Sequence, residues 1–330
     1  MEAVFTFGLD ASRWLQSSFP QLEGFFQIIS DLGREEFYLL LIPLIYWCLD
    51  KRLGKQLAYV FLLANGVNSF FKHVLRGPRP FWLDSAVGLD VEESYGVPSG
   101  HAQAASVFYL FLAGWFRKYR WVWLAALFMT LAMGVSRVYL GVHFVHDVLV
   151  GYLISIIILV GYVVWRRRFA EQFDKQILGF KLFVMFCVPL ALAAVYVAVR
   201  FLIGAPDLSV AWADFVPAAE VEGVEGMATA VATLWGMGIG VVLESSRVRF
   251  RTNGPIWKRI TRYLLGMVIT VLIWGGLRVV FPSDPLWVAI PLRIVRYLLT
   301  LLWIAYYAPM TFVWLRLADA SPEPETRVTL

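Results

Sequence analysis

Apolar stretches, nine of them long enough to matter and each closed by a short polar or basic turn, recur along the 330 residues of this chain. A helix needs about 20 apolar residues to cross the hydrocarbon core of a bilayer, and backbone inside lipid must satisfy its own hydrogen bonds. The pattern therefore predicts an all-α fold, a polytopic membrane helical bundle. Hydrophobic residues make up 59% of the chain and charged residues 16%, against about 25% charged in an ordinary soluble domain, so a large soluble protein is excluded. The formal net charge of +5 does not predict a nucleic-acid partner. Its cations fall in short groups between apolar runs, the pattern of cytoplasmic loops.

Membrane spans are expected at about 37–49, 56–72, 99–116, 121–138, 144–165, 180–203, 226–243, 263–281 and 287–315. The first is short for a bilayer, and its helix is expected to start near Arg34. Residues 1–35 mix Trp14, Leu15, Phe25, Phe26, Ile28 and Ile29 with charges and predict interfacial helices. Residues 36–168 form the expected catalytic membrane core, 169–316 carry additional spans, and 317–330 are a polar tail. The basic turns Lys51–Lys55, Arg117–Arg120, Arg166–Arg168 and Arg247–Arg262 all fall on one side, which the positive-inside rule makes the cytoplasm. Nine spans then put the N-terminus outside and the C-terminus in the cytoplasm. A bacterial inner membrane is the expected location, with the outer face periplasmic. Met1 to Pro20 lacks a basic segment and a small-residue cleavage site, so no cleavable leader is expected. Cys48 and Cys187 lie in apolar runs and predict no disulfide.

Three polar clusters share the predicted outer face. Ser136 to Asp147 reads Ser-Arg-Val-Tyr-Leu-Gly-Val-His-Phe-Val-His-Asp. Helical spacing puts His143 and Asp147 on one face, with Cβ atoms about 5–6 Å apart. A carboxylate behind an imidazole fixes its tautomer and makes it an oriented nucleophile or base. The guanidinium of Arg137 can fork onto a phosphate there; taken alone, the cluster also fits a buried arginine paired with Asp147. The second cluster is Pro98-Ser99-Gly100-His101. Ser99 suits a helix N-cap and Gly100 lets backbone approach a ligand, so the helix start is a natural phosphate site; a plain cap beside an incidental histidine fits as well. The third runs from Lys72 to Arg79-Pro80, cations that a snorkelling helix end would also explain. His73 and Arg76 read as incidental to this cluster, and His146 as structural, because it stands one residue before Asp147 and so faces away from the His143 side. Phe81 and Trp82 read as interfacial anchors.

Together, Lys72-x6-Arg79-Pro80, Pro98-Ser99-Gly100-His101 and Ser136-Arg137-x5-His143-x3-Asp147 resemble the three-part signature of the type 2 phosphatidic acid phosphatase (PAP2) superfamily, over about 56–165. The resemblance implies a PAP2/haloperoxidase-like helical core and a phosphohydrolase that needs neither metal nor other cofactor. In it, Lys72, Arg79, Arg137, the Ser99 hydroxyl and the Gly100 N–H would bind phosphoryl oxygens. His143 would be the nucleophile, Asp147 its orienter and His101 the general acid. The residues' own chemistry agrees: fixed cations and helix N–H groups stabilise a phosphoryl transition state electrostatically, and no Asp, Glu and His spacing suits a metal. The nine-span layout is similar to that of the glucose-6-phosphatase and sphingosine-phosphate phosphatase families.

The resulting expectation is a phosphatase that hydrolyses a phospholipid, isoprenoid or sphingoid phosphate, or a diphosphate, at the outer face through a phosphohistidine. A sugar-phosphate phosphatase and a lipid phosphotransferase share every one of these residues. A non-catalytic transporter is the alternative from another class. Arg200, Arg278, Arg293 and Arg296 sit near outer span ends and either pair with the acids of 204–225 and Asp284 or form a second anion site.

Overall fold

The computed structural model describes residues 2–322. They are helical throughout; among the described residues the only β-type pairing is an isolated bridge between Phe250 and Ala320. The helices are α1 (Glu2–Ser18), α2 (Glu23–Asp31), α3 (Glu35–Leu44), α4 (Lys51–Leu75), α5 (Pro80–Leu83), α6 (Gly100–Trp115), α7 (Arg120–Tyr139), α8 (Val145–Arg168), α9 (Ala170–Asp174), α10 (Leu178–Ile203), α11 (Val216–Leu243), α12 (Ile256–Val280), α13 (Leu286–Leu302) and α14 (Ala308–Trp314). Among the described residues, six segments are long and apolar enough to cross a membrane: 120–139, 145–168, 178–203, 213–248, 256–280 and 286–314. They make this an integral membrane protein. The other three expected spans fall on α3, α4 and α6. Helices α3 and α6, at 10 and 16 residues, are short, and α4 carries Lys51, Arg52, Lys55 and Lys72 along its 25 residues.

The chain divides into two compact units, one of residues 1–37, 64–163 and 196–226, the other of 38–63, 164–195 and 227–330. In the first unit α7 is the central element, packed by α1, α2 and α6. Ser12 Oγ on α1 donates to the Val138 carbonyl at 2.8 Å, and Gln16 Nε2 donates to the Tyr139 carbonyl at 2.7 Å. Phe26 on α2 meets the Tyr139 ring at 4.6 Å between centroids. The N-terminal helices therefore lie on the end of α7 that carries Arg137. Phe7, Trp14, Phe25 and Ile28 remain exposed on their other side.

Helices α7 and α8 form a tight pair. A Cβ at Gly134 would collide with the Tyr152 side chain, and Tyr152 Oη donates to the Thr130 carbonyl at 2.6 Å. The turn between them needs Gly141, whose φ of +69° suits a residue without a Cβ and whose α-carbon faces the Val87 carbonyl. Helix α6 is registered against α8 by Ser155 Oγ, which donates to the Gln103 carbonyl at 3.0 Å, and against α4 by Gln103 Nε2, which donates to the Ala64 carbonyl at 2.7 Å.

The second unit has its core around Tyr46, Trp47, Phe250, Met267, Ile304 and Phe312. The two rings of 46 and 47 donate to the carbonyls of Ala305 and Ile304 at 2.9 and 3.0 Å. Lys51 and Glu244 form a buried ion pair at 2.7 Å, and Glu244 also accepts the Phe250 N–H at 3.0 Å. Removing one member of such a pair strands a buried charge, so Glu244→Ala is expected to cost about 3–5 kcal/mol of stability. Thermal unfolding in detergent measures it; a melting temperature equal to the wild type's would mean the pair is solvated. Cys48 is buried and Cys187 half-buried, and both are free.

Candidate active site

The three sequence clusters come together in the first unit. Helix α7 ends at Tyr139, and its last turn presents Arg137, which is fully buried. The chain then turns at Gly141 and folds back so that the N–H of His143 reaches the Arg137 carbonyl at 3.2 Å. His143 is also fully buried. Asp147 occupies the first turn of α8. Its Oδ2 accepts the Phe144 N–H at 2.9 Å and lies 3.2 Å from His143 Nδ1. With Nδ1–H donating to that carboxylate, the lone pair of the ring is on Nε2. This atom lies 3.2 Å from Arg79 Nη1.

Arg79 precedes α5 and is held on every side. Nε donates to the Ser94 carbonyl at 2.5 Å and Nη1 to the Val142 carbonyl at 2.9 Å. Nη2 donates to Ser94 Oγ at 3.0 Å and to the Tyr95 carbonyl at 3.3 Å. Lys72, in the last turn of α4, donates to the same Ser94 Oγ at 2.6 Å. Ser94 thus joins two of the expected phosphate-binding cations. Tyr95 is fixed in turn by Glu220, whose Oε1 accepts from Tyr95 Oη at 2.9 Å and pairs with Arg76 at 3.2 Å.

Ser99 caps α6: its Oγ accepts the Ala102 N–H at 3.4 Å and its own N–H donates to the Asp147 carbonyl at 3.0 Å. The cap places Gly100 at the helix start and His101 in the first turn. A Cβ on Gly100 would stand 3.4 Å from Asn68 Oδ1. Asn68 Nδ2 donates to the Pro98 carbonyl at 3.3 Å.

One acid that no motif contains stands among these groups. Glu92 Oε2 is 2.6 Å from Arg79 Nη2 and 3.8 Å from His143 Nε2, and Oε1 is 3.4 Å from His101 Nδ1. Arg137 donates to Oε1 of Glu92 and to the Ser30 hydroxyl of α2. His101 and His143 therefore face the two oxygens of one carboxylate. Burial opposes ionisation of Glu92, but the guanidiniums of Arg79 and Arg137 outweigh it and hold the carboxyl well below its usual range. Burial and the nearby Arg79 charge push the His143 imidazole well below its ordinary range, so it is neutral at pH 7.

Sequence reasoning missed Ser30, a polar residue on the buried face of α2, and Glu92 and Ser94, which lie in the irregular stretch between α5 and α6. An acid between two cation motifs on one predicted face was the available signal for Glu92. It also set His146 aside, yet His146 Nε2 lies 3.1 Å from Asp147 Oδ1, with its ring stacked on Phe144. Trp82 is no interfacial anchor: it is buried and stacks on Phe215 with 5.1 Å between centroids. Of the outer cations, Arg200 pairs with Glu220 at 2.9 Å, and Arg293 reaches Thr229 Oγ1 at 3.3 Å. Among the described residues, no group of three or more His, Cys, Asp and Glu side chains is arranged to hold a metal ion.

Comparison with known families agrees with this geometry. Residues 54–171 match the PAP2 superfamily and residues 228–320 match the PAP2 superfamily phosphatase, transmembrane extension. The chain belongs to the PAP2 superfamily. It is 32% identical over 150 residues to sphingosine-1-phosphate phosphatase 2 of Homo sapiens, covering 42% of this chain and 37% of that protein. It is 30% identical over 148 residues to the same protein of Mus musculus, covering 42% of each. With glucose-6-phosphatase catalytic subunit 1 of Mus musculus it shares 30% over 187 residues, covering 47% of this chain and 52% of that protein. The matches thus span about half or less of the relatives' lengths. No solved structure matches the chain significantly.

Proposed function

We propose that this protein is a metal-independent phosphatase that releases phosphate from a lipid phosphate or lipid diphosphate at the outer face of its membrane. The observation that carries the proposal is the pairing of His143 with Asp147 behind it and the Arg79 guanidinium beside its free nitrogen. Arg79, Arg137 and Lys72 hold the phosphoryl oxygens, with the α6 start, Ser99 and Gly100, closing the cradle. The Nε2 lone pair of His143 attacks phosphorus in line, an N–P bond forms and the P–O bond to the leaving group breaks. His101 gives its proton to the departing alkoxide. His101 then takes a proton from water, the hydroxide attacks phosphorus, and the N–P electron pair returns to Nε2. The Nδ1 proton stays with Asp147 throughout.

The positive-inside pattern supports an outward-facing site, and the sphingosine-phosphate relatives support a lipid substrate. A sugar phosphate is the second reading, favoured by the glucose-6-phosphatase relatives, whose match covers a larger share of both chains. Purified protein in EDTA, given phosphatidate, sphingoid-base phosphate, polyprenyl diphosphate and glucose 6-phosphate, separates the two. Preference for a lipid by more than about tenfold in kcat/KM, close to 1.4 kcal/mol, supports the first. Turnover of glucose 6-phosphate alone reverses the order.

The depressed proton affinity of His143 has a kinetic sign. A lowered value leaves the imidazole neutral, and so able to attack, at every pH above it. The acid limb of kcat/KM is therefore expected to follow the substrate's second phosphate ionisation, at about 6, instead of an imidazole at about 6.5. Changing to an ester of a more acidic alcohol should shift the limb to lower pH by the change in that ionisation. A limb that ignores the substrate would return the titration to the enzyme.

A further inference from the structure

Glu92 lies in the irregular stretch between α5 and α6, and its position is not that of an ordinary structural acid. A carboxylate is flat and offers two oxygens, and here each oxygen takes one guanidinium: Oε2 faces Arg79 at 2.6 Å and Oε1 accepts from Arg137. Two oxygens of a phosphoryl group would bridge the same pair of arginines in the same way. The imidazoles of His101 and His143 stand 3.4 and 3.8 Å from these oxygens. Four of the groups with which the proposed function binds and cleaves a phosphoester thus converge on one side chain.

The segment that carries this side chain is held at its two ends. The Leu89 N–H donates to the Leu140 carbonyl at 3.0 Å and the Gly96 N–H to the Gly77 carbonyl at 2.9 Å. Between those points no backbone–backbone hydrogen bond forms among the described residues. Val91 is 74% exposed. Asp90, next but one to Glu92, lies 3.6 Å from Arg137 Nη1 and offers that guanidinium a second acid. The ends are fixed, residues 94 and 95 by Lys72 and Arg79, and residues 90–93 between them have no such backbone tie among the described residues.

We propose that Glu92 is an intramolecular ligand of the phosphoryl site, displaced by each substrate that binds, and that it sets how strong an anion must be to enter. This inference rests on the phosphatase reading above for what the displacing anion is. Displacement subtracts the same free energy from every incoming anion. A phosphate monoester with nearly two charges still binds. A singly charged phosphodiester, the head group that most membrane lipids carry at high local concentration, is kept below useful occupancy. An acid that merely neutralised two arginines would do the opposite on removal: the site would lose order and bind anions no better.

The test compares wild type with Glu92→Gln, which keeps the shape and removes the charge. Binding of inorganic phosphate to purified protein, read at equilibrium without turnover, is expected to tighten about tenfold. KM for a phosphomonoester should fall by the same factor, and dimethyl phosphate should become an inhibitor. Equal or weaker phosphate binding in a variant that melts like wild type overturns the inference. If Glu92→Gln does not fold, hydrogen exchange on the wild-type protein decides: phosphate should speed exchange at the amides of 91–93, and slower or unchanged exchange overturns the inference. Tighter binding in a protein that hydrolyses no monoester would remove the phosphatase reading and leave Glu92 as an anion-site ligand.

Discussion

His143→Ala is expected to lower kcat for phosphate release by about 10⁴-fold or more while phosphate binding persists. In the proposed mechanism this side chain is the nucleophile: Nδ1 is engaged by Asp147 at 3.2 Å, which leaves Nε2 beside Arg79. Binding has other sources, since Arg79 and Arg137 keep their places when the imidazole is cut away. The loss should therefore fall on kcat, not KM. A second readout is covalent. With an aryl phosphate, whose leaving group departs without a proton, His101→Ala slows only the attack of water, so a phosphorylated protein should accumulate whose phosphate is lost in acid and kept in alkali, as an N–P bond requires. Turnover above a tenth of wild type in His143→Ala, or no trapped phosphate in His101→Ala, would move the nucleophile elsewhere.

Arg137→Ala should lower kcat/KM by about 10³-fold, within the range that a single guanidinium contributes at a transferring phosphoryl group. Arg137 is fully buried, and among the described residues its Nε has no hydrogen-bond partner. Its charge therefore acts through little solvent and is worth more than on a surface. Lysine restores the charge but not the fork that spans Ser30 and Glu92, so Arg137→Lys should recover only part of the loss. Because the alanine variant also strands Glu92, its melting temperature must be measured beside its kinetics. Activity within tenfold of wild type, in a protein that melts normally, would rule Arg137 out of the phosphoryl site.

The helices were legible because each long apolar run leaves a segment few alternatives. The meeting of the three clusters was legible from spacing: Ser99 caps α6, Arg137 closes α7 and Asp147 opens α8, and each of those positions can be read locally. What could not be read depends on tertiary contacts without period. Nothing in Ser30 or Ser94 marks it as the partner of an arginine, 107 residues away for the first and 15 for the second. Glu92 is one of several acids in a polar connection, and only the fold selects it over Glu93. Helical geometry turns His146 away from His143, yet as the second residue of α8 it stacks on Phe144 and reaches the other oxygen of Asp147. The short α3 and α6 show the limit of counting apolar residues, since packing inside the protein can replace lipid around a helix.

Arg79 has a consequence for how such enzymes diversify. Its guanidinium ties the carbonyls of Ser94 and Tyr95 on one loop to that of Val142 on another, so a side chain proposed to receive phosphate doubles as a rivet between segments far apart in sequence. A rivet tolerates little drift, so libraries meant to change substrate range belong away from Arg79 and the carbonyls that it ties together.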